Sequence, residues 1–147
     1  MKRVYLLAIS IIALLSLTSC EMYDEYSEMM IRTKANNIKE AVAELYPQAH
    51  IVEMDNDNRT IEVEIVDNNT HRDVYFDLSL NWLRTETDIH HTDLPTEAAS
   101  KIASKYAGWF IDDVKTVDTP QSSYYLIELD KGERDKRIKI DALGNIL

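Results

Sequence analysis

Ile61-Glu62-Val63-Glu64-Ile65 decides how this chain is read, because Tyr125-Leu126-Ile127-Glu128-Leu129 repeats its pattern at an offset of 64. Ile61, Val63 and Ile65 alternate with Glu62 and Glu64, and Tyr125, Ile127 and Leu129 match the apolar positions. Side chains two apart on a strand share a face, so each segment is predicted to be a half-buried strand with one wet side. The match runs on downstream at the same offset. Val74 and Phe76 align with Ile138 and Ile140, and Asp77-Leu78-Ser79-Leu80-Asn81 aligns with Asp141-Ala142-Leu143-Gly144-Asn145. Leu80 stands where the second copy has Gly144, which leaves that turn's geometry less certain in the first copy. Upstream the offset is 60, with Tyr46 aligned to Tyr106 and Ile51 to Ile111. The change from 60 to 64 puts four extra residues in the first hairpin of the second half, around Val117 to Ser123.

A helix precedes the strands in each half. Ile31, Ala35, Ile38, Val42 and Leu45 recur at helical spacing and are stopped by Pro47. Ala98, Ala99, Ile102, Ala103 and Tyr106 form the second such face, with Pro95 in the first turn and Gly108 where a C-cap is expected. Asp55-Asn56-Asp57-Asn58 and Asp67-Asn68-Asn69 are turn-rich and lie between strands, which favours antiparallel hairpins. A further strand is expected over Arg84 to His91. One apolar strand face per half needs cover, and one amphipathic helix per half supplies it. The expected fold is therefore α+β: a two-layer tandem repeat of helix plus antiparallel strands, helices on one face of the sheet and the other face open. The repeats are expected at 29–91 and 92–147.

Leu94-Pro95, Tyr106, Tyr125-x-Ile127-x-Leu129 and Ile140-Asp141-x-x-Gly144-Asn145-Ile146-Leu147, echoed by Phe76-Asp77…Asn81-Trp82-Leu83, resemble the PepSY-like lipoproteins of Bacteroidetes. The resemblance covers nearly the whole chain after residue 20. It implies a duplicated fold similar to that of the beta-lactamase-inhibitor proteins and an envelope location. It implies no agreed activity, since fold alone does not fix function.

The amino terminus agrees with that location. Lys2 and Arg3 are followed by an apolar run from Val4 to Leu17 and then Leu17-Thr18-Ser19-Cys20. This three-part build is that of a signal peptide, and the run is short of the roughly 20 residues that cross a bilayer. The ending resembles a lipobox, which implies removal of residues 1–19 and lipidation of Cys20, the only cysteine. Residues 20–28 are then a lipidated tether. The acids of Glu21 to Glu28 resemble a surface-export signal loosely, and a solvated spacer is the preferred reading. The expected location is the bacterial envelope, on the periplasmic side of the outer membrane or at the cell surface.

The whole chain carries a formal charge of −10. Removing Lys2 and Arg3 from its 16 basic residues leaves 14 against 26 acids, or −12. Nucleic acid needs clustered Lys and Arg and is excluded as a partner. A partner with a positive face would be steered toward such a domain.

No constellation supports a named reaction, so no catalytic residue, metal or cofactor is assigned. Asp55-Asn56-Asp57-Asn58 opens like a calcium loop but has Thr60 where glycine is needed and Val66 where the closing glutamate belongs. Glu62 and Glu64 share a face but lack a pocket to separate their pKa values. Ser122-Ser123 has no nucleophile-elbow setting. His50 and His71 stand alone. His90-His91, flanked by Asp88 and Asp93, carries the alternative reading of a metal-dependent or enzymatic envelope protein. As strand neighbours the two rings would point to opposite faces, which opposes that reading. Trp82 and Trp109 are expected in the core.

The favoured reading is a non-catalytic envelope lipoprotein that binds a protein or peptide through its open sheet face. By alternation that face carries Glu62, Glu64, Tyr75, Asp77, Tyr124, Leu126, Glu128, Arg137 and Lys139. Of these, Glu62, Glu64, Tyr75, Tyr124, Leu126, Arg137 and Lys139 are the candidate partner-binding residues, because Tyr and Arg are frequent interface anchors.

Overall fold

The structure is a computed structural model and describes residues 29–147 except 32 and 58. Cys20, the signal segment and the tether lie outside the described residues. The chain divides into two compact units at Ala41/Val42. The described residues of the first unit are helical and belong to α1, described over 29–31 and 33–45. Along α1, Ile38 and Val42 are buried, whereas Ile31 is 69% exposed and Leu45 37%. The five-residue apolar face read from spacing is thus buried only at its centre. No helix among the described residues is long and apolar enough to cross a membrane.

The second unit holds seven strands: β1 (His50–Asn56), β2 (Thr60–Asp67), β3 (Thr70–Asp77), β4 (Trp82–Asp88), β5 (Phe110–Asp118), β6 (Ser123–Lys131) and β7 (Arg134–Ile140). They form one sheet in sequence order, every neighbouring pair antiparallel. A single 3-10 turn (His91–Asp93) and α2 (Thr96–Lys105) separate β4 from β5.

Alternation sets which side chains are buried. Ile61, Val63 and Ile65 of β2 face Val74 and Phe76 of β3 along one side, all at most 1% exposed. Val114, Ile127, Leu129, Ile138 and Ile140 do the same in β5–β7 and form one cluster with Leu94, Ala98 and Ile102. Ala98 and Ile102 lie four apart on α2, so its inner stripe closes on that half of the sheet. Ala99, Tyr106 and Trp109 pack partly buried against the cluster, while Ala103 is exposed. Pro95 caps α2 rather than sitting in its first turn, and the helix ends at Tyr106, with Gly108 at φ 78° in the turn beyond.

β4 puts threonine where its neighbours put aliphatics. Thr85 is fully buried and accepts hydrogen bonds from the Tyr46 hydroxyl and Trp82 Nε1, each at 3.0 Å. Buried hydroxyls are tolerated when so satisfied. Trp82 and Trp109 are both half-buried.

The turns explain the offsets. Asp57 Oδ1 accepts the backbone N–H groups of Arg59 and Thr60, and Thr119 Oγ1 accepts those of Gln121 and Ser122. The two β-turns therefore correspond at an offset of 62. The first-copy Asp-Asn run is thus a hairpin turn, its side chain spent on backbone donors. Irregularities in β1 between Ile51 and Glu53, and in β5 between Ile111 and Asp113, correspond at 60. The four extra residues divide equally, two on each arm of the β5–β6 hairpin. Asn68 and Asn69 both take positive φ, the requirement of a tight two-residue hairpin.

Candidate functional site

Register assigns the face opposite the buried ladders. Glu53 pairs with Glu64 and Asp55 with Glu62; Glu62 pairs with Tyr75 and Glu64 with Asp73; Tyr75 pairs with Arg84 and Asp73 with Glu86. Asp88 lies across from Lys115, Lys115 from Leu126, Leu126 from Lys139, and Glu128 from Arg137. All the residues assigned to this face by alternation thus share it. Glu62 and Glu64 are half-buried, with neither sealed inside.

Tyr75 is the best-fixed side chain of the first half. Its hydroxyl donates to Glu62 Oε1 at 2.8 Å, and the Arg84 guanidinium lies 3.6 Å from its ring centroid. Arg84 Nε in turn donates to Glu86 Oε1 at 2.6 Å. Burial raises the Tyr75 phenol well above the ordinary tyrosine range, helped by its bond to Glu62 and the charge of Glu86. A stacked Arg–Tyr pair held by two carboxylates keeps its shape before any partner arrives, which lowers the entropy lost on binding.

Lys115 organises the middle. Its Nζ lies 3.2 Å from Asp88 Oδ1 and 3.8 Å from Asp73 Oδ2. Burial alone would lower its pKa, but the hydrogen bond to Asp88 and the nearby carboxylates outweigh this and raise it. Asp73 is raised too, chiefly by burial, against the attraction of Lys115. Beside them, Glu86, Asp113, Lys115, Leu126, Glu128 and Arg137 line a shallow depression of about 240 Å³. Arg137 Nε meets Glu128 Oε1 at 3.1 Å, and Lys139 Nζ lies 4.9 Å from the Tyr124 ring centroid. Toward β1, Glu53, Asp55, Glu62, Glu64 and Asp73 line a second, wholly acidic hollow.

Alternation in β2, β3, β6 and β7 does not reveal the central strands' contribution: Arg84, Glu86 and Asp88 of β4, with Asp113, Lys115 and Val117 of β5. Val117 is 1% exposed although its cross-strand partners, Glu86 and Tyr124, lie on the polar face. Irregular pairing around Asp112 breaks the period in β5, so only the β4–β5 register locates these residues.

The histidines depart from expectation. β4 stops at Asp88 instead of running to His91, because His90 caps the 3-10 turn that follows. The rings of His90 and His91 lie side by side, centroids 4.4 Å apart, and do not point to opposite faces. His90 Nδ1 is engaged with Thr92 Oγ1 at 2.7 Å. No group of three or more His, Cys, Asp or Glu side chains is placed to hold a metal among the described residues. His71 Nδ1 sits 3.3 Å from Glu64 Oε1 on the polar face.

Residues 22–79 and 62–147 each match one family model, described as "Putative beta-lactamase-inhibitor-like, PepSY-like". The chain belongs to the PepSY-like family. Solved structures share the fold of this PepSY-like chain. A BLIP-like protein from Bacteroides fragilis superposes with a TM-score of 0.68 at 24% identity, over 75% of this chain and 80% of its own. A DUF2874 family protein from Bacteroides uniformis gives 0.68 at 22% identity, over 75% and 83%. A Bacteroides eggerthii structure described as "putative periplasmic proteins" gives 0.66 at 20%, over 75% and 83%. No curated protein matches the chain.

Proposed function

We propose that this PepSY-like chain is a non-catalytic, membrane-tethered envelope lipoprotein that binds a protein or peptide on its polar sheet face. In this reading residues 1–19 are removed and Cys20 carries the lipid. The family's beta-lactamase-inhibitor-like description and the Bacteroides relatives support an envelope protein whose work is binding. The chain is also read as a tandem repeat, 29–91 and 92–147, with two layers and one open face. The equivalent turns and strand irregularities support that duplication.

The observation that carries the binding role is the ordered surface built on Tyr75 and Arg84. Around it lie Glu62, Glu64, Tyr124, Leu126, Arg137 and Lys139, aromatic and cationic side chains set among acids. Tyr and Arg at the centre of a polar rim are the make-up of an interface hot spot. The exposed ion pairs are each worth only about 0–1 kcal/mol to the fold, so a partner can displace them cheaply.

Two measurements test the reading. Radiolabelled palmitate should label the wild-type chain and not Cys20→Ser. Partner capture by the lipidated protein should fall in Tyr75→Ala/Arg84→Ala and in Tyr124→Ala/Arg137→Ala; equal recovery by all forms would reject the face.

A further inference from the structure

α1 begins on three large apolar side chains left in solvent. Met29, Met30 and Ile31 are 58, 57 and 69% exposed. Every described side chain from 29 to 34 is exposed, and the first to be buried along the helix is Ile38. Single exposed apolar residues are ordinary, but three in succession make a patch. Successive helical residues stand about 100° apart, so the three wrap roughly 200° of the helix. A protein groove reads a stripe of residues three and four apart on one side. A patch that passes halfway round calls instead for a medium that surrounds the helix end, as a bilayer interface does.

The length of the tether puts that medium within reach. With the lipid on Cys20, the nine residues from there to Met29 span at most about 32 Å. So short a link holds the helix start at a high effective concentration beside the membrane, where a weak contact is well populated. Residues 29–39 carry three cations, Arg32, Lys34 and Lys39, and no acid. Basic side chains beside an apolar patch suit the headgroup layer, their stems along the apolar boundary and their charges among phosphates. We propose that the first turn of α1 enters the phospholipid interface, Met29, Met30 and Ile31 reaching the acyl boundary, as a second anchor beside the lipid. The proposal rests on the lipidation of Cys20. Burial of apolar surface drives the contact, because the four acids of 21–28 oppose attraction to anionic lipid.

Photomethionine, incorporated in place of methionine, crosslinks on irradiation to whatever its side chain touches. Cells producing the full chain are grown with it and with radiolabelled palmitate, then irradiated. Cleavage after Glu28 and Glu40 separates Met29 and Met30 from the lipidated tether, and cleavage after Glu53 and Glu62 isolates Met54, which is 40% exposed on β1. Phospholipid adducts should appear on the 29–40 fragment and not on the 54–62 fragment. Ile31→Ser should lower the yield on 29–40 about fivefold, through lost apolar burial, with palmitate labelling unchanged. A palmitate-labelled chain overturns the proposal alone if its 29–40 fragment carries no lipid adduct, carries a protein instead, or reacts no more than 54–62. An adduct yield untouched by Ile31→Ser does the same. A chain that takes up no palmitate overturns the lipidation of Cys20 and this second anchor with it.

Discussion

Leu80 takes the same left-handed backbone conformation as Gly144, with φ of 66° at one and 83° at the other. Each sits in a turn closed by an aspartate. Asp77 Oδ1 accepts the N–H groups of Ser79 and Asn81, and Asp141 Oδ1 those of Leu143 and Asn145. In both turns the asparagine Nδ2 donates to the other carboxylate oxygen at 2.8 Å. The turn is thus set by Asp and Asn, strongly enough to hold a leucine where glycine costs less.

Relieving that strain should stabilise the fold. Leu80→Gly is expected to gain about 0.5–1 kcal/mol, the left-handed penalty of a side chain less the added freedom of the unfolded glycine. Gly144→Ala should lose about 2 kcal/mol or more. It adds the same penalty and drives a Cβ to within 2.8 Å of the Glu97 carbonyl oxygen of α2. Urea denaturation midpoints measure both.

The same aspartates make stability depend on pH. Asp77 and Asp141 are held below the ordinary carboxylate range, first by their asparagine hydrogen bonds, and Asp57 by the Arg59 and Thr60 backbone donors. The unfolded chain then binds more protons at low pH than the folded one. Their contribution is present above the unfolded carboxylate pKa and disappears as pH falls through the lower folded values. Denaturation midpoints should therefore drop steeply below about pH 4. Asp141→Asn should have a lower midpoint than the wild type at pH 7 and a shallower acid slope.

Thr85 should be costly to remove. Thr85→Val keeps the shape but leaves the Trp82 and Tyr46 donors without their acceptor, an expected loss of about 1–3 kcal/mol. Tyr46→Phe removes one donor and should cost about 1 kcal/mol. In a double mutant the second change should add little, since the two act through one hydroxyl.

Tyr75 should ionise above the ordinary tyrosine range, because burial and its bond to Glu62 oppose the phenolate. Ultraviolet titration of the folded protein should show a late phenolate phase that Tyr75→Phe removes. That variant should be destabilised by about 1 kcal/mol through loss of the Glu62 bond. Its partner capture should fall less than that of Tyr75→Ala, because the ring stacked on Arg84 remains.

Strands whose buried apolar residues recur two apart could be read directly: β2 and β6 from Ile61 and Ile127, β3 and β7 from Phe76 and Ile140. The turn Asp77–Asn81 was legible because its chemistry lies in two side chains four apart. β4 was legible as a strand but not in its extent. Its buried face is threonine and its outer face charged, so hydropathy does not alternate, and the His90 cap that ends it resembles more of the same polar run. β5 lost its period at Asp112. With both central strands blurred, the polar face could be read at its flanks, while Arg84, Lys115 and Asp88 emerged only from the register.

The longer β5–β6 arm keeps its greasy side inward because residues opposite each other across a hairpin share a face. Lengthening both limbs equally adds whole cross-strand pairs, so Ile111 still meets Leu129 as Ile51 meets Ile65. Only an unequal insertion would slide one strand past the other and turn its side chains over. The tip Thr119-Pro120-Gln121-Ser122 has thus been moved outward by two pairs without touching the interior, a ruler graduated in pairs.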